Sequence, residues 1–238
     1  MASKISFQYL SRCGVPFSVT PELTNEINEL IANASAEIEK QVSVGKFIAY
    51  LSIPISSRGG GDFRTNAEMS KHITQNVRAT FGEKLWILNP ALYSLPEGAT
   101  GGDYMAAWAD VLSGENGLGD HLDMVYFVGP NDVWSFFGVK EGNRLGRIDE
   151  WLTERAAKDP HYKKIAEDDK LRKAFIRFYG LRGSVVYSKG CHDEWNIITA
   201  INTKRPVGND IVVYFDGVPI EPGDYRDSIA PGYEARME

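Results

Sequence analysis

Three short stretches of this sequence carry residue types that could do chemistry. The first is Ser56-Ser57-Arg58-Gly59-Gly60-Gly61, between a β-rich run and a helical one. Successive glycines let backbone N–H groups approach an anion closely, a following helix N-terminus adds partial positive charge, and Arg58 with two hydroxyls can donate further bonds. That chemistry suits a phosphate, although the stretch is neither a G-x-G-x-x-G fingerprint nor a G-x-x-x-x-G-K-[ST] loop. A plain surface loop is the competing reading. The second is Gly101-Gly102-Asp103 with Asp110, whose spacing of seven puts both carboxylates near one helix face, about two turns apart. That face is expected to look into a cleft. A helix cap is the plainer reading for Asp103, and a solvated surface acid the plainer one for Asp110. The third is Ser188-Lys189-Gly190-Cys191-His192-Asp193-Glu194, a loop entering a helix. Glu194 is expected in the first turn, either facing the strand ends or merely stabilising the helix dipole. One His and one Cys without a partner motif make no case for a metal, so no metal and no cofactor are expected.

These stretches need elements to hold them. The N-terminal part carries Leu23, Ile27, Leu30, Ile31, Ala34 and Ile38 at helical spacing after Thr20-Pro21, which read as N-cap and N1. KFIAYLSIPIS reads as a strand feeding the SSRGGGDFRTN loop, and Met69, Ile73, Val77 and Phe81 mark the helix that follows. KLWILNPALYS is a second strand, GGDYMAAWADVL a third helix and LDMVYFVGP a buried strand. A charged region with helical spacing from about 139 to 180 is an insertion. GSVVYSKG then reads as strand plus loop, HDEWNIITAINTKR as a helix and DIVVYFDGVPI as a last strand. Strands alternating with helices predict an α/β domain with a mainly parallel sheet covered on both faces by helices. It spans 46–238, with an N-terminal helical extension over 1–45. Such sheets place ligands at the carboxyl ends of their strands.

Composition limits the classes. The 238 residues are 43% hydrophobic and 24% charged, as in an ordinary globular protein. The net charge of −6 argues against a nucleic-acid polymer as partner. Cys13 and Cys191 are far apart and outside any Cys-x-x-Cys pair, which predicts free thiols in a reducing compartment. There is no apolar run long enough to span a bilayer and no signal-peptide h-region, so a cytoplasmic protein without a membrane partner is expected.

Taken together, AYLSIPISSRGGG, LNP, GGDYMAAWAD, DMVYFV and SKGCHDEWNIITAINTKRPV leading into DIVVYFDG resemble the nucleoside 2-deoxyribosyltransferase-like family. That family includes a branch of 2′-deoxynucleoside 5′-monophosphate N-glycosidases. The order and spacing of the motifs, over roughly 46–217 around the insertion, carry the resemblance. It implies a Rossmann-like fold, a parallel five-stranded sheet sandwiched by helices, and cleavage or exchange of an N-glycosidic bond on a nucleoside or nucleoside 5′-monophosphate. It implies Glu194 as nucleophile, Asp110 in proton transfer with the base and Tyr50 orienting the glutamate. Ser56, Ser57, Arg58, Gly59, Gly60, Ser188 and Gly190 inherit the 5′-phosphate, and Asp103 joins the substrate-binding set. A homodimer or higher homo-oligomer follows, with a neighbour helping to complete the site. Ile53 stands where a small Gly is common and predicts a reshaped sugar pocket. Glu141, after Phe137-Gly138, is a rival nucleophile that can also be aligned to a Gly-rich loop plus Glu. Two other functions fit the same residues: a non-catalytic nucleotide-sensing module, and a glycohydrolase acting on NAD or a signalling nucleotide. In the tail, Tyr225 or Tyr233 could reach a neighbouring subunit, and a frayed terminus is the plainer expectation.

Overall fold

The computed structural model describes residues 6–140, 142–221, 224 and 227–235, with Arg58 described by its backbone alone. A hairpin comes first, β1 (Phe7–Leu10) pairing antiparallel with β2 (Pro16–Val19). It is followed by α1 (Thr24–Ser43), β3 (Phe47–Ser52), α2 (Phe63–Phe81), β4 (Leu85–Leu88), α3 (Gly101–Ser113) and β5 (Met124–Phe127). Next come four helices: α4 (Pro130–Phe136), α5 (Arg144–Ala156), α6 (Pro160–Glu167) and α7 (Asp169–Leu181). The chain closes with α8 (Lys189–Lys204), β6 (Val212–Phe215) and β7 (Val218–Pro219).

The sheet order is β4-β3-β5-β6-β7. The first four strands are parallel and β7 is antiparallel to β6, so the sheet is mixed where an all-parallel one was expected. The cause is local: Asp216 (φ 53°) and Gly217 (φ 82°) both adopt left-handed backbone, the requirement of a tight Asp-Gly hairpin turn, and the chain doubles back. The expected strand at 184–187 is instead a short 3-10 turn, Val185–Tyr187. β6 takes the ladder position beside β5, and Val185 keeps a single bond to the β5 side, its N–H donating to the Val128 carbonyl (3.1 Å).

The apolar stripe of α1 is buried as its spacing predicts, at Ile27, Leu30, Ile31, Ala34 and Ile38. α1 packs on α3, β3 and β4, and α3 packs on α8, while α2 contacts β4 and α4. The parallel strands are buried almost end to end, with Ile48, Ala49, Tyr50, Leu51, Val125 and Val213 in the core. The N-terminal segment is more than a helical extension, because its hairpin lies against α3. Thr20 and Pro21 open a 3-10 turn, Pro21–Leu23, and the helix proper begins at Thr24. α4 was not expected, although Gly-Pro-Asn-Asp at 129–132 carries a start signal: Pro130 is the first helical residue and Asp132 accepts from the Gly129 N–H (3.0 Å).

The expected helical insertion is α5–α7, and aromatic rings hold it together. Trp151 meets Phe137 (4.9 Å), Tyr162 (5.4 Å) and Phe175 (6.1 Å), and Tyr179 meets Phe175 (4.6 Å). No helix among the described residues is long and apolar enough to cross a membrane. Cys13 and Cys191 are both free and buried.

Candidate active site

The chain leaves β3 toward β4 on one side and leaves β5 toward β6 on the other, so the crevice between the carboxyl ends of β3 and β5 is the place where such a sheet opens to a ligand. Glu194 is there. α8 begins at Lys189, earlier than the sequence suggested, which puts Glu194 in the second turn rather than the first. Its side chain faces the sheet and the residue is 5% exposed, so it is not a surface acid serving the helix dipole. The Tyr50 hydroxyl donates to Oε1 (2.5 Å) and the Ser52 hydroxyl to Oε2 (2.5 Å). Tyr50 and Ser52 share one face of β3 because strand side chains alternate. The Cys191 thiol, one helical turn before Glu194, is hydrogen-bonded to the same carboxylate.

Burial pushes the Glu194 carboxyl up to about 7, helped by the neighbouring Asp193, while the bonds from Ser52, Tyr50 and Cys191 pull the other way. Burial, followed by the charge of Glu194, raises the Tyr50 hydroxyl and the Cys191 thiol well above their ordinary values. Both therefore remain neutral donors at physiological pH. Sequence reasoning found Tyr50 and Glu194 and missed Ser52. The signal was the strand period of two, which puts residue 52 beside residue 50 on the same face.

Asp103 and Asp110 do lie on one helix face, but the N-terminal hairpin and the turn after it cover that face. Asp103 completes a capping box with Thr100, and its oxygens also accept from the Thr20 N–H (2.6 Å) and hydroxyl (3.0 Å). These bonds hold its carboxyl below the ordinary range against the opposing effect of burial. Asp110 accepts from the Tyr9 hydroxyl (2.5 Å) and the Arg12 N–H (2.9 Å), with the Arg12 guanidinium 3.5 Å away. Trp108, which meets the Tyr50 ring at 5.7 Å, is two residues away and so on nearly the opposite face of α3. The structure thus brings Tyr50 and Glu194 together and turns Asp110 toward the hairpin.

The Gly-rich stretch forms a 3-10 turn, Arg58–Gly60, with left-handed backbone at Gly59 (φ 75°) and Gly60 (φ 105°). It is not a free surface loop. A Cβ on Gly60 would stand 2.6 Å from the Ala174 carbonyl of α7, so the insertion rests directly on the turn. Asn66 holds the approach by donating to the carbonyls of Ile55 (3.0 Å) and Ser56 (3.2 Å), and Tyr179 donates to the Asn66 side chain (2.7 Å). Ser56 and Ser57 are exposed and Ile53 is buried beneath them. Ser188 caps α8, accepting from the Cys191 N–H (3.4 Å), and a Cβ on Gly190 would meet the Met105 sulfur of α3 at 3.5 Å. The first turn of α8 therefore sits beside the first turns of α3. Glu141 and Tyr225 lie outside the described residues, as does the Arg58 side chain. No cluster of three metal-ligating side chains occurs among the described residues.

The tail is docked where fraying was expected. Asp193 accepts from the N–H groups of Gly232 (2.7 Å), Tyr233 (2.6 Å) and Glu234 (3.3 Å). Asn196 exchanges two bonds with Ile229, and Trp195 donates to the Asp227 carbonyl (3.0 Å). Tyr233 lies on its own chain, against Gly101 and over the Lys189 ammonium (5.8 Å).

Comparison of the chain with family models, curated proteins and solved structures found no match.

Proposed function

We propose that this protein breaks or exchanges the N-glycosidic bond of a nucleoside or nucleoside 5′-monophosphate, with Glu194 as the nucleophile. The observation that carries this reading is a carboxylate buried at the carboxyl ends of parallel strands, gripped by two hydroxyl donors and poised near neutrality. The Glu194 carboxylate attacks the anomeric carbon, and the bond from that carbon to the base nitrogen breaks. The electron pair leaves with the base, which takes up a proton from solvent, and the attacking water or second base returns one in the following step. Water, or a second base, then attacks the glycosyl ester and returns the carboxylate. Tyr50 and Ser52 orient the nucleophile throughout. Asp110 has no part in this reading, because its oxygens serve the hairpin.

The 5′-phosphate is assigned to the Ser56-Ser57-Arg58-Gly59-Gly60 turn and to the N-terminus of α8, where the Ser188 hydroxyl and the Gly190 N–H suit an anion. The strand order supports a Rossmann-like, deoxyribosyltransferase-like reading of the parallel strands, and the same resemblance supports assembly as a homo-oligomer. One observation favours a second reading, a nucleotide-sensing module: Glu194 is only 5% exposed, as in a site that binds without turnover. Chromatography of nucleotide incubations separates the two. Base release that disappears in Glu194→Ala supports the enzyme, and nucleotide binding with no released base supports the sensor. Among released products, free sugar phosphate means hydrolysis and an exchanged nucleotide means transfer.

A further inference from the structure

The insertion and the Gly-rich turn meet through one buried amide. Asn66, near the start of α2, is buried, and every polar group of its side chain has a partner. Its Nδ2 donates to the Ile55 carbonyl (3.0 Å) and the Ser56 carbonyl (3.2 Å), and its Oδ1 accepts from the Tyr179 hydroxyl of α7 (2.7 Å). That hydroxyl in turn accepts from the Asp62 N–H (3.0 Å), and its other acceptor within reach, the Asp62 carbonyl, is farther away (3.1 Å). The Tyr179 ring is seated between Phe137 (5.0 Å), Phe175 (4.6 Å) and Phe178 (4.9 Å).

These bonds allow the amide one orientation. Turned over, it would set its oxygen against two carbonyl oxygens that need a donor. Tyr179 therefore decides which way Asn66 faces, and Asn66 decides which way the peptides after β3 face. Each peptide here is planar and trans, so pinning the Ile55 and Ser56 carbonyls toward Asn66 turns the Ser56 and Ser57 N–H groups to the opposite side. Both serines are exposed. α7 also backs the rest of the turn: a Cβ on Gly60 would stand 2.6 Å from the Ala174 carbonyl, and one on Gly61 would stand 3.0 Å from the Phe178 ring. Glu194 takes its hydroxyl bonds from Tyr50 and Ser52, outside this chain of contacts.

We propose that Tyr179 is a positioning residue for the 5′-phosphate: acting through Asn66, it lets the insertion hold the Gly-rich turn in its anion-receiving shape before the nucleotide arrives. The inference rests on the assignment of the phosphate to that turn. A receptor ordered in advance binds more tightly because less freedom is lost on binding. The test is calorimetric titration of the full chain with ribo- and deoxyribonucleoside 5′-monophosphates and with their parent nucleosides, which lack only the phosphate. Tyr179→Phe keeps the ring and removes the hydroxyl. It is expected to weaken monophosphate binding about tenfold and to leave nucleoside binding within about twofold of wild type. Asn66→Ala is expected to show the same selective loss, and should either variant fail to fold, the other decides by the same ratio. Equal losses for monophosphate and nucleoside overturn the inference, because that is general loosening, and so does unchanged monophosphate binding. A wild type that binds monophosphates no more tightly than nucleosides overturns it as well, while base release from nucleosides would leave the glycosidase reading standing. If the selective loss is found and no base is released from any substrate, the positioning role stands and the glycosidase reading falls.

Discussion

At the scale of single residues, the account turns on a carboxylic acid whose burial and whose hydrogen bonds oppose each other. A Glu with a folded-state value of about 7 against an ordinary 4.5 favours the folded state in its protonated form. That contribution is fully present below about pH 4.5, is lost as the pH rises through 7 and stays lost above it. Glu194→Gln cannot ionise. Its stability advantage over wild type is therefore expected to grow by on the order of 2–3 kcal/mol between pH 4.5 and pH 8, as urea denaturation at the two pH values would read. Tyr50→Phe and Ser52→Ala each remove a donor that favours the ionised form. Each is expected to move the rising limb of the pH–rate profile above 7, so that activity at neutral pH falls while part of it returns at high pH. A uniform loss at all pH values would mean that these hydroxyls do something other than set the ionisation of Glu194.

At the scale of elements, the sequence made the strands and helices legible through their periods, because β3, β4 and β5 are short apolar runs and α1 carries an unbroken stripe. The Asp103–Asp110 pair illustrates what periodicity cannot supply. Spacing puts both carboxylates on one face of α3, but what covers that face depends on a hairpin some ninety residues earlier in the chain. Asp103→Ala is accordingly expected to lower stability by about 2–4 kcal/mol, measured by urea denaturation, while the folded fraction releases base at the wild-type rate. A selective loss of turnover at unchanged stability would return Asp103 to the substrate. Gly60→Ala meets both a left-handed backbone and the Ala174 carbonyl, so it is expected to cost more than about 1 kcal/mol and to weaken nucleoside monophosphate binding with it. Calorimetric titration would detect the second effect. Unaltered affinity would separate the turn from the phosphate.

At the scale of the whole molecule, three additions pack onto the α/β core: the hairpin on the outer face of α3, the insertion resting on the Gly-rich turn, and the tail along α8. None of these contacts could be seen in local patterns, because each joins segments far apart in sequence. The tail reads as polar and turn-rich, and its partner Asp193 reads as one more acid beside Glu194. The antiparallel β7 is the converse case, since the Asp-Gly pair that causes it was present in the sequence within a stretch that reads as one continuous strand. The insertion also carries ion pairs to α2, with Arg64 on Asp159 (2.6 Å) and Arg155 on Glu68 (3.0 Å), and a hydrogen bond between His161 and Asp62, the N-cap of α2 (2.8 Å). These hold the insertion against α2 and the Gly-rich turn. The most direct test of the central claim is incubation with ribo- and deoxyribonucleosides, their 5′-monophosphates and NAD, with chromatography for free base, run beside Glu194→Ala. The account predicts base released from nucleosides or their monophosphates by the wild type and none by the variant. Release that persists at the wild-type rate in Glu194→Ala would contradict it.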